Sequence, residues 1–246
     1  MHYYDMAETW EFTGGPKLLY TLVIFQEGDK YFSTKLLEQF ARPENLSSIK
    51  RDSLEEIPVE HIWPPLEDGL SICDEPEKPN VYIKRPRLTG YDGSASLSSF
   101  LLQEARICEI LLRNEHPNIA RYLGCVTNDG RVTGLCFEKY SETLAKRLED
   151  GRSVDQESCF QQICAGIDHL HSLNLVHNDI HSGNIMSLDN EGGSFVIIDF
   201  DSCAVKGCPL PDKRGQIPEG IFTAEFENDD LGLKVLKEEL SQSIKT

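Results

Sequence analysis

The ten residues His177-Asn-Asp-Ile-His-Ser-Gly-Asn-Ile-Met186, followed by Ile198-Asp-Phe-Asp201, constrain this chain more than any other stretch of it. Short apolar pieces frame them: Leu175-Val176 before, Ile185-Met186 after, and Phe195-Val-Ile-Ile198 leading into Asp199. The run puts Asp179 on a loop five residues before Asn184, with a second aspartate, Asp199, on the next hairpin. Phosphoryl transfer needs such a set. The protein does little covalent work in that reaction, which depends on one carboxylate to orient the attacking hydroxyl and on oxygen ligands that hold Mg²⁺ against a triphosphate.

At 246 residues the chain can bury a full core in one large domain or two lobes. Its 24 basic and 41 acidic residues give a net charge of −17, which argues against nucleic acid or an anionic membrane as partner and leaves a basic partner open. The N-terminus, Met-His-Tyr-Tyr-Asp-Met-Ala-Glu8, has no basic stretch leading into an apolar core, and no later segment has the apolar length to span a bilayer. The expectation is an intracellular protein, cytoplasmic or nuclear, with no membrane contact; the sequence is silent on oligomeric state. Cysteines at 73, 108, 125, 136, 159, 164, 203 and 208 sit mostly inside apolar runs, where a reduced thiol behaves as a small hydrophobe. His169 follows the pair Cys159 and Cys164 without completing a four-ligand zinc set, so all eight are read as unpaired thiols.

Residues 1–59 offer one strand, Lys17-Leu-Leu-Tyr-Thr-Leu-Val-Ile-Phe25, between a Gly-Gly-Pro breaker and a polar turn. Beyond it, a Pro/Glu-rich stretch through Pro79 precedes Val81-Tyr-Ile-Lys84, a short β-rich run ending in lysine. Helical spacing of Leu101, Glu104, Cys108 and Leu111 predicts a helix over 98–114. His116-Pro-Asn-Ile119 leads into a hairpin whose turn is Asn128-Asp-Gly130, with Arg131 to Phe137 as its return strand. Helices are expected over 142–149 and over 154–172, the second with Phe160, Ile163, Ile167 and Leu170 on one face.

Strand, lysine, helix with an acidic face, hairpin, linker, helix, catalytic loop and metal-binding hairpin: this order resembles the protein-kinase superfamily over about residues 60–240. The resemblance implies an α+β, two-lobed fold with a β-rich small lobe and a mainly helical large lobe shortened at its C-terminus. Residues 1–59 would be an N-terminal extension, 60–140 the small lobe and hinge, and 141–246 the truncated large lobe. It also implies roles. Lys84 matches the strand lysine that reaches the ATP phosphates, and a carboxylate on the next helix must hold its ammonium in place. Glu104 is the candidate partner because it shares a face with Leu101, Cys108 and Leu111, and Glu109 is kept as the alternative. Backbone groups from Glu138 to Tyr140 would bind the adenine edge, with Phe137 at the back of the purine pocket. Asp179 would be the catalytic carboxylate, Asn184 and Asp199 the Mg²⁺ ligands, and His177 a brace for the loop.

The chain departs from the family in four places. No Gly-x-Gly-x-x-Gly precedes Lys84, and Asp74-Glu-Pro-Glu-Lys-Pro79 occupies that part of the sequence, which implies weak nucleotide affinity. Asn178 replaces the arginine that pairs with a phosphorylated activation loop, and residues 204–219 contain no Ser, Thr or Tyr, so no phosphate-driven switch is expected there. His181 replaces the lysine that neutralises the γ-phosphate, and Asp201 replaces the glycine of Asp-Phe-Gly; both are similar to aminoglycoside- and choline-type kinases. Asn228-Asp-Asp-Leu-Gly-Leu-Lys-Val-Leu236 resembles the start of the helix that anchors the large lobe, and few residues follow it, an arrangement similar to small fungal kinase-like proteins.

The sequence thus points to an ATP- and Mg²⁺-dependent protein kinase, acting on Ser/Thr, with Asp179, Lys84 and His181 as catalytic residues. The missing glycine loop favours a pseudokinase that binds a protein partner. His181 and Asp201 favour a small-molecule phosphotransferase.

Overall fold

A computed structural model describes residues 1–37, 49–188 and 192–242. The chain divides into two units, one of residues 1–66, 85–101 and 128–133, the other of residues 67–84, 102–127 and 134–246.

The first unit is built on an antiparallel sheet of four strands in the order β1 (His2–Glu11), β2 (Lys17–Glu27), β3 (Lys30–Leu36) and β4 (Glu55–Ile57). The expected strand over 17–25 is β2. Its continuous apolar run, Leu22-Val-Ile-Phe25, is buried along its whole length because both faces of the sheet are covered. Leu22 and Ile24 pack with Ile57, Ile62, Leu88 and Leu97 on one side. Val23 and Phe25 pack with Phe32, Tyr3, Met6, Ile49 and Leu54 on the other. The other three strands were not legible: their polar-rich letters carry no period of their own, and pairing brings them in, β1 and β3 on β2 and β4 on β3. Helix α1 (Val59–Ile62) follows β4.

Strands β5 (Val81–Lys84), β7 (Arg131–Glu138) and β6 (Tyr122–Asn128) form a sheet in the order β5-β7-β6, with Lys84 opposite Leu135. The β6–β7 turn places Asp129 at φ 48° and Gly130 at φ 71°, the left-handed pair that a two-residue hairpin demands. Among the described residues, β7 is the one strand beside β5. Ile72 bridges in parallel to Cys125 on β6, so that segment runs along the other edge of the sheet.

Helix α2 spans Ser96–Leu112, two residues earlier at each end than expected. The expected helix over 142–149 begins instead with β8 (Glu142–Thr143), which pairs with β10 (Ile185–Ser187). The Thr143 side chain accepts from the Lys146 amide and caps α3 (Leu144–Glu149), which fixes the helix start after it. In the same way Asp155 accepts from Ser158 and starts α4 at Gln156–Ser172 rather than at 154. Helix α4 buries Ile163, Ile167 and Leu170, while Phe160 is only partly buried. Strand β9 (Leu175–Val176) pairs with β12 (Ala204–Val205), and β11 (Phe195–Ile197) pairs with β10. Helix α5 (Phe226–Gln242) follows. The cysteines are free thiols, six of them buried.

Candidate active site

Lys84 ends β5, and its Nζ lies 2.6 Å from Glu104 Oε1, hydrogen-bonds Asp199 Oδ1, and stands 3.6 Å from Asp201 Oδ2. Glu104 is almost fully buried on α2 and also accepts from the Phe200 amide at 3.1 Å. Glu109 serves elsewhere: its carboxylate takes the Ser71 amide at 2.7 Å and the Ser71 hydroxyl at 3.0 Å. Burial alone would push the Lys84 ammonium down, but the carboxylates of Glu104, Asp199 and Asp201 outweigh it and hold the group well above the usual lysine range. Burial pushes the Glu104 carboxyl up against the pull of Lys84. For Asp199, burial would raise the carboxyl, yet Lys84 and Lys213 more than offset this and hold it well below the usual range.

The turn at Asp199 has φ 67°, a left-handed conformation that Asp tolerates better than most residues. It is followed by a 3₁₀ turn, Phe200–Ser202, which brings Asp201 back beside Asp199. Lys213 Nζ bridges them at 2.9 Å from Asp199 Oδ2 and 2.6 Å from Asp201 Oδ2. Neither Lys213 nor Asp201 was assigned to the site from sequence, and for Lys213 no pattern could have done so: the contact spans more than ten residues of irregular chain.

The loop carrying Asp179 is fixed from below. His177 Nε2 bonds the Ile198 carbonyl at 3.0 Å, and the Ile198 amide donates to Asn184 O at 2.9 Å, so the loop and the Asp199 turn are tied together. Asn184 Nδ2 donates to Asp179 O at 2.9 Å and to Asp179 Oδ2 at 3.2 Å. His181 accepts from the Gly183 amide through Nδ1 at 3.0 Å, which turns Nε2 toward Asp179 Oδ1 at 3.8 Å. Asn178 is buried at φ 63°, and its side-chain amide donates to the Val176 and Ser202 carbonyls, so that side chain is structural. Asp229, at the start of α5 and fully buried, accepts from the His177 amide at 2.9 Å and the Asn178 amide at 2.8 Å, with His171 Nε2 at 2.9 Å.

The linker after β7 uses two of its amides within the protein: Glu138 donates to Arg121 O and Lys139 to Asn80 O. The Tyr140 hydroxyl accepts from the Arg121 amide at 2.8 Å, and the Tyr140 amide has no acceptor among the described residues. Phe137 is buried and tilted against Tyr122. A cavity of about 560 Å³ lies by Leu111, His116, Tyr122, Glu138 and Tyr140, and none of Lys84, Glu104, Asp179 and Asp199 lines it.

Glu104, Asp199 and Asp201 each present a carboxylate oxygen, and these oxygens lie within 4.8 Å of one another. Such hard donors suit Mg²⁺. Asn184 directs its NH₂ to Asp179, which leaves its amide oxygen as the donor for a cation. The residues present therefore fit the ion.

Residues 91–208, just under half of the chain, match the family model described as the protein kinase domain. The similar proteins include human serine/threonine-protein kinase/endoribonuclease IRE2, 32% identical over 129 residues, which are 46% of this chain and 14% of that protein. Drosophila melanogaster serine/threonine-protein kinase Tao is 32% identical over 133 residues, 52% of this chain and 12% of the other. The Schizosaccharomyces pombe sensor for unfolded proteins in the ER, ire1, is 34% identical over 120 residues, 46% and 10%. The chain spans 10–14% of the length of these relatives. No helix among the described residues is long and apolar enough to cross a membrane.

Proposed function

We propose that this chain is an ATP- and Mg²⁺-dependent protein kinase that transfers the γ-phosphate to a serine or threonine hydroxyl. One observation carries the reading: Lys84 is held by Glu104 and Asp199 while the loop beneath holds Asp179 against Asn184, the two halves joined through Ile198. In this reading the Tyr140 amide meets the adenine edge and Lys84 meets the α- and β-phosphates. Mg²⁺, held by Asp199 and Asn184, would neutralise charge on the phosphates. Asp179 accepts the proton of the acceptor hydroxyl as its oxygen bonds to phosphorus; the β,γ-bridging bond breaks and ADP leaves with the electron pair. His181, with Nε2 3.8 Å from Asp179 Oδ1, orients that carboxylate. The relatives named as serine/threonine kinases support the acceptor type, and the net charge of −17 supports a protein acceptor over nucleic acid.

The pseudokinase reading draws on the sheet edge: β5 has no strand beyond it among the described residues, so no hairpin there covers a triphosphate. Saturating Mg²⁺-ATP separates the cases. At one hundred times Kd it stabilises by about 2.7 kcal/mol, a rise in melting temperature of roughly 5–10 °C for a chain of this size, and Asp199→Asn abolishes the rise. In a labelled-phosphate assay on a generic protein acceptor, Asp179→Asn lowers transfer by at least about a hundredfold. Binding without transfer supports the pseudokinase; no thermal shift refutes the kinase reading and leaves a pseudokinase that binds a protein partner without nucleotide.

A further inference from the structure

The segment 206–219 crosses the site and is tied to it at two points. At the first, Lys213 Nζ holds Asp199 Oδ2 and Asp201 Oδ2 together. Asp199 Oδ1 is already taken by Lys84, so each oxygen of this carboxylate has its own ammonium. An Mg²⁺ ion held by Asp199 needs an oxygen of this carboxylate at about 2.0–2.1 Å, and an ammonium hydrogen-bonded to that oxygen stands in its way. At the second, the Gly215 amide donates to the Asn178 carbonyl at 2.9 Å. The Gly215 Cα lies so near the catalytic carboxylate that an added Cβ would stand 2.7 Å from Asp179 Oδ1 and 3.3 Å from Asp179 Cα. Asp179 Oδ2 is engaged by Asn184, so the backbone of Gly215 covers the oxygen that an acceptor hydroxyl must approach to about 3 Å.

We propose that Lys213 and Gly215 form a latch that closes the active site and that Mg²⁺-nucleotide, rather than phosphorylation, releases. The proposal rests on the reading of this site as one that binds Mg²⁺-nucleotide. Two residues apart, the two ties come away together, so clearing the cation's place also uncovers Asp179. Each tie is weak by itself: Lys213 is about half exposed, and an ion pair of that kind contributes little. That suits a part that must open. The segment has no Ser, Thr or Tyr to receive a phosphate, which leaves competition by ligand as the available release.

The test measures Mg²⁺-ADP affinity by calorimetry on the full chain, alongside the rate of tryptic cleavage after Lys213 or Arg214 identified by mass spectrometry. Lys213→Met and Gly215→Ala each bind Mg²⁺-ADP about five- to tenfold more tightly than the parent, because the binding-competent state no longer has to be won from the closed one. Lys213→Arg stays near the parent value. Mg²⁺-ADP speeds cleavage of the parent at these bonds. Gly215→Ala alters no charge, so its gain does not come from a lost positive group; a gain confined to Lys213→Met is a field effect and overturns the latch. The latch also fails, with the site reading intact, if the parent binds and neither variant binds more tightly. If no protein binds Mg²⁺-ADP while the unliganded melting temperatures show all are folded, the site reading fails and the latch with it.

Discussion

Asp229 takes two backbone amides, those of His177 and Asn178, with a carboxylate that has no access to water. Replacing it with alanine strands buried donors at the root of the loop that carries Asp179, and Asp229→Ala is expected to cost about 3–5 kcal/mol in urea unfolding. Its sequence, Asn-Asp-Asp, suggested an anchoring helix but not which aspartate does the anchoring, because a carboxylate that serves distant backbone amides leaves no spacing pattern. Asp199 makes a prediction in pH. Its carboxyl is depressed below 3.8 in the folded chain by Lys84 and Lys213, so the stability it contributes is complete above that pH and is lost as pH falls toward the folded value. The difference in melting temperature between the parent and Asp199→Asn therefore narrows steadily below pH 3.8. A constant difference across that range would show that the lysines do not favour the ionised form.

Helix α5 reaches the loop that carries Asp179 through Gly232, where an added Cβ would meet Ile180 Cβ at 2.8 Å and Ile180 O at 2.9 Å. A second tie, Ser182 Oγ to Glu239 Oε1 at 2.6 Å, holds the loop farther along the same helix. Gly232→Ala gains about 1 kcal/mol of helix propensity and loses about 1–3 kcal/mol to overpacking. It is expected to lower the melting temperature slightly and phosphate transfer strongly, since Ile180 adjoins Asp179; unchanged transfer would show that the loop does not depend on this contact. The elements also show where pattern succeeds. A buried helix face is periodic, so α2 and α4 were found to within two residues. Starts are set otherwise, that of α4 by the Asp155 cap and that of α3 by pairing: Thr143 belongs to a strand because β10 lies beside it, a fact of tertiary structure. The choice between Glu104 and Glu109 had the same character, since both lie on α2 and only the positions of Lys84 and Ser71 distinguish them.

Across the whole chain, the sheet of residues 1–57 shares a core with later sequence: Leu88 and Leu97 are buried against Leu22, Ile24, Ile57 and Ile62. Deleting residues 1–58 exposes both leucines, at roughly 1.5–3 kcal/mol each, and a calorimetric scan of the shortened chain is expected to show a clear fall in melting temperature. An unchanged transition would mean that the sheet is a separate attachment. Order along the chain was enough to point to the resemblance that the match over residues 91–208 bears out, because the apolar runs and polar loops that recur in it follow from local periodicity and from the chemistry of phosphate and Mg²⁺. Local order says nothing about which distant groups meet. The burial that gathers Glu104, Asp199 and Asp201 around one ammonium, the turn that returns Asp201 to them, and the contacts of Lys213 and Gly215 on that site are decided by packing between segments far apart in sequence.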